Sequence, residues 1–257
     1  MITSEIFEPG NYRYLPGVFQ YSAGVAAQPG YEIVHVTLTR MLPMADGFEF
    51  VHEFLASLSL PLTAFCACEL RSGAPFTEAG FEAFNKLYVG TLSKWGIVRD
   101  GINPVARSNV CPEVAPPSAP ALYAFGFVRP ATDSVPTAIV AGSGEVLEGK
   151  ENYRDHIVAP GDTSHDGMRR KAKYVTNEMT RRLGALGFSP TAVTVAQVYT
   201  VEPIHGLLET QLLPSGLLDH GLTWHYARPP IVGLSFEMDV RCVTRELSAD
   251  SGNTLSP

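Results

Sequence analysis

The side chains with chemistry to offer fall into a few clusters along the 257 residues. Cys66 and Cys68 alternate along an apolar run, so both point to the same side of a strand. Tetrahedral zinc needs about four convergent S or N ligands. No second pair accompanies them, and these cysteines read as small buried apolar side chains. With Cys111 and Cys242 they imply no disulfide framework. The segment TWHYARPP, residues 223–230, gathers Trp224, His225, Tyr226 and Arg228. Aromatic rings beside a histidine and an arginine suit a pocket for a cyclic, acidic ligand; the plainer reading is a loop with one buried tryptophan. Arg169-Arg170-Lys171 and Arg181-Arg182 lie within a helical pattern and read as a solvated face. His165 and Asp166 stand where N-cap residues stand, at a helix start whose free N–H groups can also hold an anion. His205 and His220 read as surface histidines.

The elements that must position these groups occur twice. In residues 48–72, Phe50, Val51, Phe54, Leu55 and Leu58 recur at helical spacing; Pro61 marks a turn, and LTAFCACEL then alternates as a strand does. In residues 172–201, Val175, Met179, Leu183 and Leu186 form the apolar stripe of a second helix. Gly187 closes it, Pro190 follows, and TAVTVAQVYTV is rich in β-branched residues. The strand starts, Leu62 and Thr191, are 129 residues apart, half the chain. A strand precedes each helix (31–39 and 137–146), and a final strand closes each half (121–128 and 234–243). The first half adds a further helix, FTEAGFEAFNKLYVGTLSKWG, where the second half is shorter. ATDSVP, residues 131–136, reads as a linker. The expectation is an α+β protein of two units, 1–131 and 132–257, each a mixed β-sheet with helices packed on one face. The first 16 residues and the last ten look poorly ordered. Val34, Val36, Phe236 and Met238 suggest that the uncovered sheet face is apolar enough to pack on other copies of the unit.

Composition narrows the function. A formal charge of −7 with no Lys/Arg stripe argues against nucleic acid or an anionic membrane as partner. No run approaches the roughly 18 apolar residues of a membrane span, and the N-terminus has neither a basic nor an apolar leader region. A cytoplasmic protein is expected.

In order along the chain stand VFQYSAGV (18–25), NKLY (85–88), NPVARSNVCPEV (103–114), GSGEV (142–146) and FEMDV (236–240). Together they resemble, in two passes over residues 15–245, the Rid (YjgF) family of small-molecule deaminases, with NPVARS the most specific piece. The resemblance implies two Rid-like units of the chorismate-mutase-like fold. It also implies homotrimers with pockets between neighbouring subunits, and hydrolytic deamination of carboxylated imines or enamines. Arg107 matches the arginine that holds the substrate carboxylate, which its planar fork can bind bidentately. Glu237 matches the glutamate that positions the attacking water. Tyr21, Asn85, Ser143 and Gly144 match further pocket residues, and Trp224 and Arg228 are candidates beside them.

An imine is already electrophilic, so its hydrolysis asks for an oriented water and proton transfer, which one carboxylate can provide; no metal or organic cofactor is called for. The family motif is divided, however. The first half has arginine but Ala124 near the glutamate position; the second has Glu237 but Leu222-Thr223 where arginine should lie. Glu145 is a further acid near the second-half motif. Either the site is split between the halves, or one half has become scaffold. The readings left open are a deaminase of carboxylated imines, enamines or aminomuconate-like acids, a chorismatase-like hydrolase of a cyclic enol ether, and a non-catalytic ligand-binding scaffold.

Overall fold

The computed structural model describes residues 3–132, 135–147 and 153–250. Its strands are β1 (Glu5–Phe7), β2 (Tyr12–Leu15), β3 (Gly24–Ala27), β4 (Tyr31–Pro43), β5 (Phe65–Arg71), β6 (Ala106–Pro112) and β7 (Ala121–Pro130), then β8 (Ala138–Gly144), β9 (Val195–Tyr199), β10 (Thr223–His225), β11 (Ala227–Arg228), β12 (Glu237–Cys242) and β13 (Glu246–Ala249). Three long helices accompany them: α1 (Met44–Ser57), α2 (Glu78–Lys94) and α3 (His165–Ala185). The class is α+β, as the patterning predicts. One sheet has the order β1-β2-β3-β8-β12-β9-β10 and the other β11-β6-β5-β7-β4-β13. Each sheet thus takes its central strands from one half of the chain and edge strands from the other. The linker residues 133 and 134 lie outside the described residues.

Apolar periodicity decides which face each helix covers. Val51, Phe54 and Leu55 of α1 and Phe84, Tyr88 and Leu92 of α2 pack in one core with Phe65 and Phe125. Val175, Met179 and Leu183 of α3 pack in another with Phe236, Met238 and Val240. Thr77 caps α2 by accepting from Gly80 N, and Ser164 caps α3 by accepting from Gly167 N, each at 3.2 Å. The α3 cap is therefore one residue before the expected His165, whose ring instead lies 3.3 Å from the Gly206 carbonyl. Gly187, at φ +81°, supplies the left-handed turn after α3.

The residues expected on a bare, apolar face are on the helix-covered faces. Val36 pairs with Phe125 and Val34 with Phe127, and both phenylalanine rings meet Phe54 of α1 edge-on. Phe236 and Met238 lie under α3. What the two sheets turn toward each other is polar. Ser108 on β6 donates to Asp239 on β12 at 2.5 Å. Gln197 on β9 donates to Glu69 on β5 at 3.1 Å, and Arg241 on β12 to the same carboxylate at 3.3 Å. The faces left open by the helices are buried on each other inside one chain, so no second copy is needed to cover them.

Two further expectations change. Residues 1 and 2 lie outside the described residues, but from residue 3 the N-terminal segment is ordered: β2 is an inner strand, Tyr12 and Leu15 are fully buried, and the Tyr12 hydroxyl donates to the Phe65 carbonyl at 3.3 Å. At the other end, Glu246–Ala249 forms β13, and residues 251–257 lie outside the described residues. The basic runs on α3 are also not uniformly solvated. Arg169, Arg170 and Arg181 are exposed and paired with acids. Lys171, by contrast, is fully buried against Glu145 at 3.0 Å, and Arg182 is buried, donating to the Ala141 carbonyl and Ser143 Oγ. A buried ion pair is costly to break from one side, because the remaining charge is left in a poorly polarisable interior. Lys171→Met should therefore lower the unfolding free energy by about 3–5 kcal/mol, read as a reduced urea midpoint at unchanged m-value.

Candidate active site

Residues 107–109 on β6 set out the site by strand alternation. Ser108 turns to Asp239. Arg107 turns the other way, and α2 receives it: Nη1 donates to Asn85 Oδ1 at 2.7 Å. The rings of Tyr21, Phe84 and Tyr88 surround the guanidinium at 5.0, 5.4 and 4.8 Å, distances at which a cation is attracted to an aromatic face. Arg107 is only 3% exposed, and among the described residues no carboxylate pairs with it. A buried guanidinium held by an amide and aromatic faces is prepared for an anion from outside the chain.

Glu237, the first residue of β12, lines the same cavity as Arg107. The carboxylate of Glu145 fixes the approach to it by accepting from the backbone N–H of Ser235 at 2.5 Å and of Phe236 at 3.0 Å. A side chain on Gly142 of β8 would collide with Glu237 Oε1, so glycine leaves the neighbouring strand bare where the carboxylate lies. Arg107, Glu237, Tyr21, Asn109, Gly142 and Gly144 line one cavity of about 30 Å³, closed by Phe81, Tyr153, Ile231 and Leu234. An open groove of about 840 Å³ adjoins it, sharing Tyr153 and Ile231 and lined also by Phe76, Thr77, Arg154 and Val232. The arginine and the glutamate, each missing from the other half of the chain, meet at this cavity.

A family model described as 2-aminomuconate deaminase CnbZ matches residues 4–247. The chain belongs to that family. A 2-amino-5-chloromuconate deaminase from Comamonas testosteroni is 46% identical over 243 residues, which make up 94% of this chain and 97% of that protein. Among solved structures, a chorismatase aligns with a TM-score of 0.44 at 11% identity, covering 94% of this chain and 86% of that one. The YjgF gene product of E. coli aligns with a TM-score of 0.32 at 14% identity, covering 44% of this chain and 85% of that one.

For this member of the aminomuconate deaminase family, the structure sorts the expected site residues. Tyr21, Arg107, Gly144 and Glu237 line the cavity. Asn85 does not; it stands behind Arg107 and orients it. Ser143 points to the α3 side, where its Oγ accepts from Arg182, because alternation turns it away from its glycine neighbours. Trp224 and Arg228 are elsewhere. Trp224 sits on the edge strand β10 with its Nε1 donating to the Thr200 carbonyl, and Arg228 is half exposed and paired with Glu113 at 2.6 Å. Glu145 is structural, engaged by Lys171 and the backbone. Asn109, which the motif does not single out, also lines the cavity, since it is two residues from Arg107 on a strand and shares its face.

The charges behind the site are strongly interdependent. Burial alone would raise the Glu69 carboxyl, but the His35 hydrogen bond and the positive charges of Arg71, His35 and Arg241 outweigh it and hold Glu69 well below the usual range. Burial, and then the nearby Glu69 charge, pushes Asp239 up. Burial also pushes the Cys68 thiol up to about 12 and Cys66 higher still, so neither cysteine is an activated nucleophile. Among the described residues, no group of three His, Cys, Asp or Glu side chains is set to hold a metal ion, and no helix is long and apolar enough to cross a membrane.

His225 stacks on Tyr199 with ring centroids 4.9 Å apart. Its Nε2 lies 2.8 Å from Gln197 Oε1. Because Gln197 spends its amide N–H groups on Glu69 and Asp239, Oε1 is an acceptor and His225 Nε2 carries the proton. Burial and the Arg71 charge lower His225 to about 4. Unfolded histidine protonates below about 6.5, so the contribution of neutral His225 to stability is complete above that pH and lost as the pH falls toward 4. Its ring proton resonance should titrate with a midpoint near 4; a midpoint at the ordinary histidine value would contradict this placement.

Proposed function

We propose that the chain is a hydrolytic deaminase of an aminomuconate-type acid: a short unsaturated chain bearing a carboxylate beside the carbon that carries nitrogen. The observation that carries this reading is the meeting of Arg107 and Glu237 at one cavity, with the guanidinium buried and no carboxylate paired to it among the described residues. Membership of the aminomuconate deaminase family and the 46% identity to a 2-amino-5-chloromuconate deaminase support it.

In this mechanism Arg107 binds the carboxylate adjacent to the reacting carbon through its planar fork. The substrate reacts as its imine, the tautomer of the enamine. Glu237 orients a water molecule and accepts its proton as the oxygen bonds to the imine carbon, then returns a proton to the departing nitrogen. Ammonia leaves, and the carbon becomes the carbonyl of a 2-oxo acid. The 30 Å³ cavity has room for the attacking water, since a water needs roughly 10–15 Å³. The adjoining groove has room for the remaining carbons. Asn85 and the ring of Tyr21 hold Arg107 for this task.

The chorismatase-like alternative drew on the aromatic cluster around Trp224, which does not line the cavity, and no other observation favours it. A cytoplasmic homotrimer, with a unit boundary near residue 132, remains part of the proposal on the strength of the Rid resemblance alone.

The test is ammonia release from enzymatically generated 2-aminomuconate. Glu237→Gln should lower kcat by about 10²–10⁴-fold, the span of general acid–base catalysis. Arg107→Ala should chiefly raise KM, and both variants should keep the wild-type sedimentation profile. Full activity in either variant would overturn the split-site mechanism. Substrate binding without turnover in the wild type would favour a non-catalytic binder.

A further inference from the structure

We propose that Asn109 contacts the substrate directly, its side-chain nitrogen donating a hydrogen bond to the oxygen that water delivers to the reacting carbon. The assignment rests on the deaminase reading above. Asn109 is 3% exposed and lines the cavity with Arg107 and Glu237. Its orientation is fixed from behind: Ser72 Oγ donates to Asn109 Oδ1 at 3.0 Å, which leaves Nδ2 as the free end of the amide. That nitrogen has no hydrogen-bond partner among the described residues. A buried amide donor without an acceptor is costly, and such an orphan calls for an acceptor supplied by a bound molecule.

The chemistry identifies that acceptor. The substrate carboxylate engages Arg107 and the water proton goes to Glu237, so one polar atom of the reacting centre is still without a partner, the oxygen itself. Addition forms a C–O bond while the C=N π electrons move to nitrogen. Glu237 passes the first water proton to nitrogen, giving a carbinolamine, and then carries the hydroxyl proton to nitrogen as well, so that the intermediate is a zwitterion bearing O⁻ and NH₃⁺ on one carbon. It collapses when an oxygen lone pair forms C=O and the C–N bonding pair leaves with ammonia. Negative charge therefore develops on an oxygen next to the carboxylate carbon. A fixed neutral donor aimed there stabilises that charge as oxyanion-hole donors do. Arg107 and Asn109, at i and i+2 on β6, share one face of the strand. The long arginine and the short asparagine thus offer donors at two different depths, one for the carboxylate and one for the neighbouring oxygen.

The experiment pairs kinetics with binding of two six-carbon diacids, 2-oxohexanedioate, which carries the oxygen, and hexanedioate, which lacks it. Asn109→Leu keeps the size and removes the donor. It should lower kcat for ammonia release by about 10²-fold with KM within about twofold. By calorimetry it should weaken 2-oxohexanedioate by about tenfold while leaving hexanedioate unchanged. Ser72→Ala, which frees the amide without deleting it, is the second variant in case Asn109→Leu does not fold. It should shift the preference for the oxo acid in the same direction by a smaller factor. Wild-type kcat in Asn109→Leu, equal weakening of both diacids, or an unchanged preference in Ser72→Ala would each overturn the assignment. If the wild type itself releases no ammonia yet still prefers the oxo acid through Asn109, the deaminase reading fails and the contact stands.

Discussion

Glu69 and Asp239 sit on different sheets, and one amide nitrogen, Gln197 Nε2, donates to both, at 3.1 and 2.9 Å. Two buried carboxylates this close repel unless counter-charge is supplied. Arg71 and Arg241 supply it to Glu69, which also hydrogen-bonds His35, while Ser108 and Tyr199 hydroxyls solvate Asp239. This seam is satisfied only when both sheets are present in one relative position, since removing either would leave buried charge uncompensated. The rest of the molecule follows from that. With the sheets so docked, β6 lies beside β8, Gly142 N donates to Ser108 Oγ at 3.1 Å, and Arg107 of β6 and Glu237 of β12 come to line one cavity.

The arrangement also explains why neither half of the chain carries a complete motif. Tyr21, Arg107 and Asn109 come to the cavity from the first half, and Gly142, Gly144 and Glu237 from the second. Once a cavity draws on both halves, selection acts on the pair. The first half has no use for an acid at Ala124, which is packed as a buried small residue, and the second has none for an arginine.

Much of the scaffold was legible. Helix, proline turn and strand stand at 129 residues' offset, and in both places the chain folds as a helix, a short 3₁₀ turn and a strand. Motif context singled out Arg107 and Glu237, and the fold brings both to one cavity. What alternation could not reveal was where the polar face of each strand goes. His35, Glu69, Arg71, Gln197 and Asp239 occupy every second position, and a polar every-second pattern has the same form whether its partner is water or another sheet. The helix errors had a visible signal. Lys171 lies one turn before Val175, on the apolar stripe, and Arg182 lies beside Leu183 on it. Position on the stripe outweighs residue type when a buried acid or carbonyl awaits the cation. Trp224 and Arg228 drew attention by type alone, and neither lines the cavity.

The exchange of edge strands has a consequence for how the molecule is made. The first described strands, β1 to β3, find their sheet only when β8 arrives, with Gly24 waiting for Val140. The first unit's sheet is completed by the last described strand of the chain, β13, lying parallel to β4. Synthesis therefore cannot finish one half before starting the other, and the early segment, with Tyr12 and Leu15 destined for full burial, pairs only within itself until β8 is made. Pairings so distant in sequence slow folding. They also tie beginning to end: a chain that stops before β8 leaves β3 without its neighbour in the sheet, and one that stops before β13 leaves the edge of β4 bare.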